Sequence, residues 1–144
     1  HSFPTRRSSD LKKNGYEPDC VVTPEATNSM GRPYPYMIFK NIENLGLSAS
    51  WKVIKVGDTI SDIKEGINAG VWSVGVVVGS SQMGLSYDEF INLSEKKSNE
   101  VIKNTENSFL KAGADFTIKT MLELPGLIEK INKLINEGKR PNAK

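Results

Sequence analysis

The segment Val53-Ile54-Lys55-Val56-Gly57-Asp58-Thr59-Ile60-Ser61-Asp62 sets two carboxylates four residues apart at the end of an apolar run. If Asp62 lies in the first turn of a following helix, both carboxylates can face one crevice, because residues four apart share a helix face. Oxygen ligands without His or Cys suit Mg²⁺ better than a softer metal. The competing structural reading makes Asp58 a turn residue and Asp62 a charge that complements a helix dipole. A second candidate is Gly31-Arg32-Pro33-Tyr34-Pro35. There a guanidinium stands beside the start of a helix, and a fork of N–H donors with the positive end of a dipole makes an anion site. Alone, Arg32 could equally be a solvated side chain in a proline-fixed turn. An anion clamp and a hard-metal carboxylate pair, each following a strand of one sheet, together suit a phosphoryl or phosphonyl group.

The elements that must position these residues are short apolar runs alternating with helical segments. Strands are expected at Asp19–Thr23, Trp51–Val56, Trp72–Val78 and Asp115–Ile118. Helices are expected over 35–45, with Gly46 at its end, over 61–69, closing at Gly70, and over 87–93. A highly charged helix over 94–112 and an amphipathic one over 121–136 follow, the latter with Leu122, Leu124, Leu127, Ile128, Ile131, Leu134 and Ile135 on its apolar side. Residues 138–144 read as a polar tail. Apolar strands separated by helices predict a parallel sheet covered on both faces, an α/β fold whose ligands sit at the carboxyl ends of strands.

Composition excludes much other chemistry. The 144 residues contain one Cys (Cys20) and one His (His1), so no Cys/His zinc site, redox Cys pair, internal disulfide or Ser-His-Asp triad can be assembled. The formal charge is +2 with acidic and basic residues interspersed, which gives no electrostatic reason to expect nucleic acid or a membrane as partner. The longest apolar stretch, from Ala69 to Gly79, is too short to span a bilayer. A cytoplasmic location is expected, in keeping with a free thiol. Cys20, Trp51 and Trp72 are expected to serve packing, Lys52 and Lys55 to lie at a solvated strand end, and the Lys/Glu-rich stretch from Glu95 to Lys111 to form an exposed helix face.

Residues 1–11 carry no period that could bury a face. Phe3–Leu11 reads as the translation of a widely used sequencing-library adapter, so residues 1–11 are expected to be disordered and foreign to the fold, with natural sequence starting near Lys12.

From there on the chain resembles the haloacid dehalogenase-like superfamily and, within it, the phosphonatase branch. The stretch Val56-Gly-Asp-Thr-Ile-Ser-Asp-Ile-Lys-Glu-Gly66-Ile-Asn-Ala-Gly70-Val-Trp-Ser-Val-Gly75 is similar to the fourth motif of that superfamily. Gly15-Tyr-Glu-Pro-Asp19, Val22-Thr-Pro24, Gly31-Arg-Pro-Tyr-Pro35, Gly79-Ser-Ser, Met83-Gly-Leu85 and Gly113-Ala-Asp-Phe-Thr-Ile118 also match the branch. The resemblance implies hydrolysis of the C–P bond of phosphonoacetaldehyde to acetaldehyde and phosphate, through an imine on a cap-domain lysine and an aspartyl phosphate. It implies Mg²⁺ as cofactor, with Asp58 as a metal ligand, Asp62 supporting the metal from the second shell or through water, and Arg32 holding the phosphonyl oxygens. It also implies a small-molecule phosphonate substrate and a homodimeric parent enzyme. Tyr36 stands where the branch has Trp.

None of the six aspartates has the Asp-x-x-Gly-Thr context of the superfamily's nucleophile. The expectation is therefore a partial Rossmann-like parallel sheet over residues 12–137, the C-terminal part of the hydrolase core. The N-terminal strands and cap domain would be missing, with a gap between the Cys20 and Val53 strands, and the chain would be inactive alone. Two other readings stand beside it: another Mg²⁺-dependent phosphatase or phosphoglucomutase of the superfamily, and a non-catalytic α/β interaction module in which Asp58 and Asp62 only cap a helix.

Overall fold

The computed structural model describes residue 15 and residues 17–142. The adapter-like segment and the expected disorder over residues 1–11 lie outside them. Strands β1 (Ile54–Gly57), β2 (Trp72–Val76) and β3 (Phe116–Ile118) form a parallel sheet in that order, with Val56 opposite Val74 and Val74 opposite Phe116. Among the described residues five α-helices flank it: α1 (Tyr36–Asn44), α2 (Ile60–Ala69), α3 (Tyr87–Ile91), α4 (Glu95–Lys111) and α5 (Leu124–Asn136). The expected α/β fold with a partial Rossmann-like parallel sheet is present.

The alternation of side chains along a strand separates two dissimilar faces. Ile54, Val56, Trp72, Val74, Val76, Phe116 and Ile118 pack with Leu127 and Ile131 of α5. The opposite face carries Lys55, Gly57, Ser73 and Gly75, and α2 and α4 lie close upon it. A Cβ on Gly75 would fall 2.6 Å from Cγ of Phe109, and one on Gly66 would fall 2.3 Å from Ser73 Oγ. Phe109 joins Ile63, Val77 and Ala114 in this second cluster. The strands are thus not apolar throughout; β1 alternates, because one of its faces meets a helix that brings charged groups to it.

Local signals set the ends of α2. Thr59 accepts from the Asp62 N–H and Asp62 accepts from the Thr59 N–H, a capping box that satisfies two free donors of the first turn. At the other end Gly70 takes φ 72°, and the N–H groups of Gly70 and Val71 return to the carbonyls of Ile67 and Gly66. That is a Schellman closure, which needs the left-handed conformation glycine adopts at no steric cost.

Several expected elements are corrected. Asp19–Thr23 is not a strand, although its residues are β-branched and apolar in part: no described strand lies beside it, and a strand exists only through its ladder partner. Residues 50–52 form a 3₁₀ turn, so the second expected strand is confined to Ile54–Gly57. The 121–136 helix begins with a 3₁₀ turn at Met121–Glu123, which leaves Leu122 91% exposed instead of on the apolar face. The described part of the polar tail is tied down. Arg140 lies over the Trp51 ring at 3.9 Å, and the Asn142 N–H donates to Asp115, whose other oxygen accepts from Ser73 N–H. Burial pushes the Asp115 carboxyl above its usual pKa against those two hydrogen bonds.

Candidate functional site

The site lies at the carboxyl end of β1, where strand, turn and helix converge on the carboxylate of Asp62. Gly57 is the condition for that approach: a Cβ there would sit 2.2 Å from Cβ of Asp62. The capping box then turns Asp62 back toward the loop. Its Oδ2 accepts from the Thr59 hydroxyl at 2.8 Å and from the N–H groups of Asp58 and Thr59, each at 3.1 Å. Its Oδ1 accepts from Arg32 Nη1 at 2.8 Å and faces Lys55 Nζ at 3.3 Å. Lys55 in turn lies 2.9 Å from Glu65 Oε1.

Two of the three candidate residues are therefore brought together. Arg32 reaches thirty residues along the chain to Asp62, and its loop is anchored to α2 by Asn68 Nδ2 donating to the Pro33 carbonyl at 2.8 Å. The guanidinium spends Nη1 on Asp62 while its side chain remains 45% exposed. The hydrogen bond and charge of Asp62 raise its pKa further. Asp58 behaves differently: its backbone N–H binds Asp62, but the residue is exposed.

Asp62 itself is 4% exposed. Burial pushes its pKa up, but the hydrogen bonds from Arg32 and Thr59 and the charges of Lys55 and Arg32 outweigh it and bring the pKa down to about 2. A carboxyl held below its unfolded value of about 3.9 stabilises the fold above that value and loses the contribution as pH falls through the folded pKa. The difference in urea stability between the wild type and Asp62→Asn is thus expected to shrink by about 2 kcal/mol between pH 4 and pH 2. A difference independent of pH over that window would refute it. Using a difference removes Asp115, which works in the opposite sense.

Beside this cluster a groove of about 520 Å³ separates the Cys20–Thr23 segment from β1. Val22, Ile38 and Ile54 supply apolar wall, and Arg32, Lys55, Asp62 and Glu65 supply the charged end. Since β2 occupies one side of β1 and β1 ends the strand order, the groove runs along a strand edge that has no partner among the described residues. Cys20 lines this groove half-buried, with Asn44 Nδ2 3.4 Å from its Sγ, and is not the core residue of a strand.

The donor set does not complete a metal site. Among the described residues no three of His, Cys, Asp and Glu are grouped to hold an ion. Asp62 already accepts four hydrogen bonds and pairs with Lys55, and Asp58 is one carboxylate. Mg²⁺ binds through one or two carboxylates with several waters, so Asp58 can contribute to such a site without constituting it.

Lys55, Glu65 and Thr59 were not expected here. The signals for them are weak but present: Lys55 shares a strand face with Gly57 two residues on, and Glu65 shares a helix face with Asp62 three residues back.

No family model matches the chain. It is 54% identical over 124 residues to the phosphonoacetaldehyde hydrolase of Lysinibacillus sphaericus (strain C3-41), a match that covers 85% of this chain and 46% of the relative. The chain is similar to phosphonoacetaldehyde hydrolases. It is 49% identical over 83% of its length to the bifunctional phosphonoacetaldehyde hydrolase/aminoethylphosphonate transaminase of Clostridioides difficile (strain 630), of which it covers 19%. A solved structure, of a phosphonoacetaldehyde hydrolase-like protein from Oleispira antarctica, superposes with TM-score 0.85 at 31% identity over 93% of this chain and 48% of that one. The chain spans about half the length or less of these relatives. Among the described residues no helix is long and apolar enough to cross a membrane.

Proposed function

We propose that this chain supplies the phosphonyl-holding part of a phosphonoacetaldehyde hydrolase, an enzyme that cleaves the C–P bond of phosphonoacetaldehyde to give acetaldehyde and phosphate. The observation that carries the proposal is the contact of Arg32 with Asp62. A planar fork of donors is anchored through one nitrogen and, among the described residues, left open on its remaining N–H groups beside a groove, at the carboxyl end of a parallel strand. Arginine suits this task because its fork matches a group with several anionic oxygens better than a point charge does.

In this reading Arg32 binds and orients the phosphonyl oxygens. Asp62 holds Arg32 and the Asp58–Thr59 turn in place, and Asp58 offers one carboxylate to Mg²⁺, whose other ligands come from outside the described residues. Bound there, Mg²⁺ would offset negative charge on the phosphonyl group. The groove along β1 is the place for the strands that the resemblance sets between Cys20 and Val53. The nucleophilic aspartate and the imine-forming lysine would belong to the part of the relatives that this chain does not match, so the 144-residue chain alone would release no acetaldehyde. The working enzyme would be a cytoplasmic homodimer.

A chimera tests the proposal. Residues of the Lysinibacillus sphaericus enzyme that align with this chain are replaced by this chain's own, and acetaldehyde release from phosphonoacetaldehyde is followed. The expected result is hydrolysis well above the protein-free rate, with Arg32→Met lowering kcat/KM by about 10²-fold or more, the scale of losing one charge-stabilising donor. A folded chimera without hydrolysis, or an Arg32→Met chimera as active as its parent, would overturn it.

A further inference from the structure

We infer that Lys55, held by Glu65, is a positioning residue that keeps Asp62 from closing on Arg32, so that the guanidinium stays open to an anion. The inference rests on the reading of Arg32 as the phosphonyl-binding cation. Glu65 is 1% exposed, and neither of its carboxylate oxygens has a hydrogen bond of good geometry among the described residues. The ammonium of Lys55, 2.9 Å from Oε1, is the charge that faces it. A buried carboxylate with so little compensation is costly to the fold, which makes its one close contact informative. The same ammonium, on a side chain 25% exposed, also meets Asp62 Oδ1 at 3.3 Å.

Asp62 Oδ1 is thereby shared, with Arg32 on its exposed side and Lys55 on its buried side. The χ2 torsion of an aspartate is broad, so a carboxylate facing a guanidinium alone can turn to offer both oxygens to the fork. That turn would take Oδ2 away from Thr59 and Asp58 and would use two of the donors that Arg32 needs for substrate. With Lys55 in place, Oδ1 is pulled toward the interior, Oδ2 stays on the loop, and Arg32 remains bound through Nη1 only. Glu65 acts through Lys55, and neither residue need touch substrate.

The test uses the 144-residue chain and the variant Lys55→Met/Glu65→Gln, which removes one charge of each sign and leaves no buried carboxylate unpaired. Two quantities are read by NMR: hydrogen exchange of the Asp58 and Thr59 amides, and inorganic phosphate affinity from the Arg32 side-chain N–H signal. The variant is expected to lose protection at both amides by about tenfold or more while the β2 amides keep theirs, and to bind phosphate several-fold more weakly. Lys55→Arg is expected to restore both. Unchanged protection at Asp58 and Thr59, or a loss in step with β2 that marks general loosening, would overturn the inference. Should the double variant not fold, Glu65→Gln decides by the same readouts with smaller changes expected. If Arg32→Met leaves phosphate binding unaltered, read for this variant from the phosphate-induced shifts of the Asp58 and Thr59 amides, it is the functional reading that fails, while the protection of the two amides still decides the role of Lys55.

Discussion

Asp62→Ala is expected to destabilise the chain by about 4 kcal/mol, in the range for stripping one partner from a buried network of charges. The number rests on what the substitution leaves behind. Arg32 Nη1, Lys55 Nζ, the Thr59 hydroxyl and the N–H groups of Asp58 and Thr59 all lose an acceptor, and Glu65 remains buried beside an ammonium with no second carboxylate. Half of the capping box that begins α2 goes with them. Urea unfolding at pH 7 reads the effect. Asp62→Asn, which keeps one acceptor, is expected to lose roughly half as much. A loss below about 1 kcal/mol for the alanine variant would mean that Asp62 is an ordinary helix cap.

The second large effect lies behind the sheet. Phe109 is fully buried against the bare backbone of Gly75, and Phe109→Ala is expected to cost about 4 kcal/mol, because the lost ring leaves a cavity in a packed cluster that relaxes only in part. The same contact predicts a sign of coupling. Gly75→Ala alone would place a Cβ 2.6 Å from the ring and is expected to cost about 2 kcal/mol, whereas in the Phe109→Ala background the added methyl meets empty space and costs little. The double-mutant cycle should therefore show coupling of more than about 1 kcal/mol. Additive losses would show that the helix and sheet relax apart freely at that point.

Much of this arrangement was legible in the residues. The order of strands and helices after Ile54, the closure of α2 at Gly70 and the place of Asp62 in the first turn after β1 follow from local patterns whose physics is local: caps, turns and period. The misread elements share a different cause. Asp19–Thr23 has strand-like residues but no strand beside it, and Leu122 has helical spacing but falls in the 3₁₀ turn that precedes α5. Pairing and burial belong to neighbours, which a window of sequence does not contain.

The charged cluster divides in the same way. The sequence by itself determined an α/β chain with two carboxylates after one strand and an arginine after another segment, and with one Cys and one His it excluded a Cys/His zinc site or a redox Cys pair within the chain. It also placed Lys55 beside an apolar run, where a solvated strand end was the natural expectation. Only the tertiary structure decided that Arg32 closes on Asp62 across thirty residues, that Asp58 stays exposed, and that Lys55 meets the buried Glu65. The reason is the bareness of Gly57 and Gly66: with no side chain at either, α2 lies against β1 and β2 closely enough for charges on separate elements to meet. That proximity, and with it the competition for one carboxylate oxygen, is a property of packing distance and not of spacing along the chain.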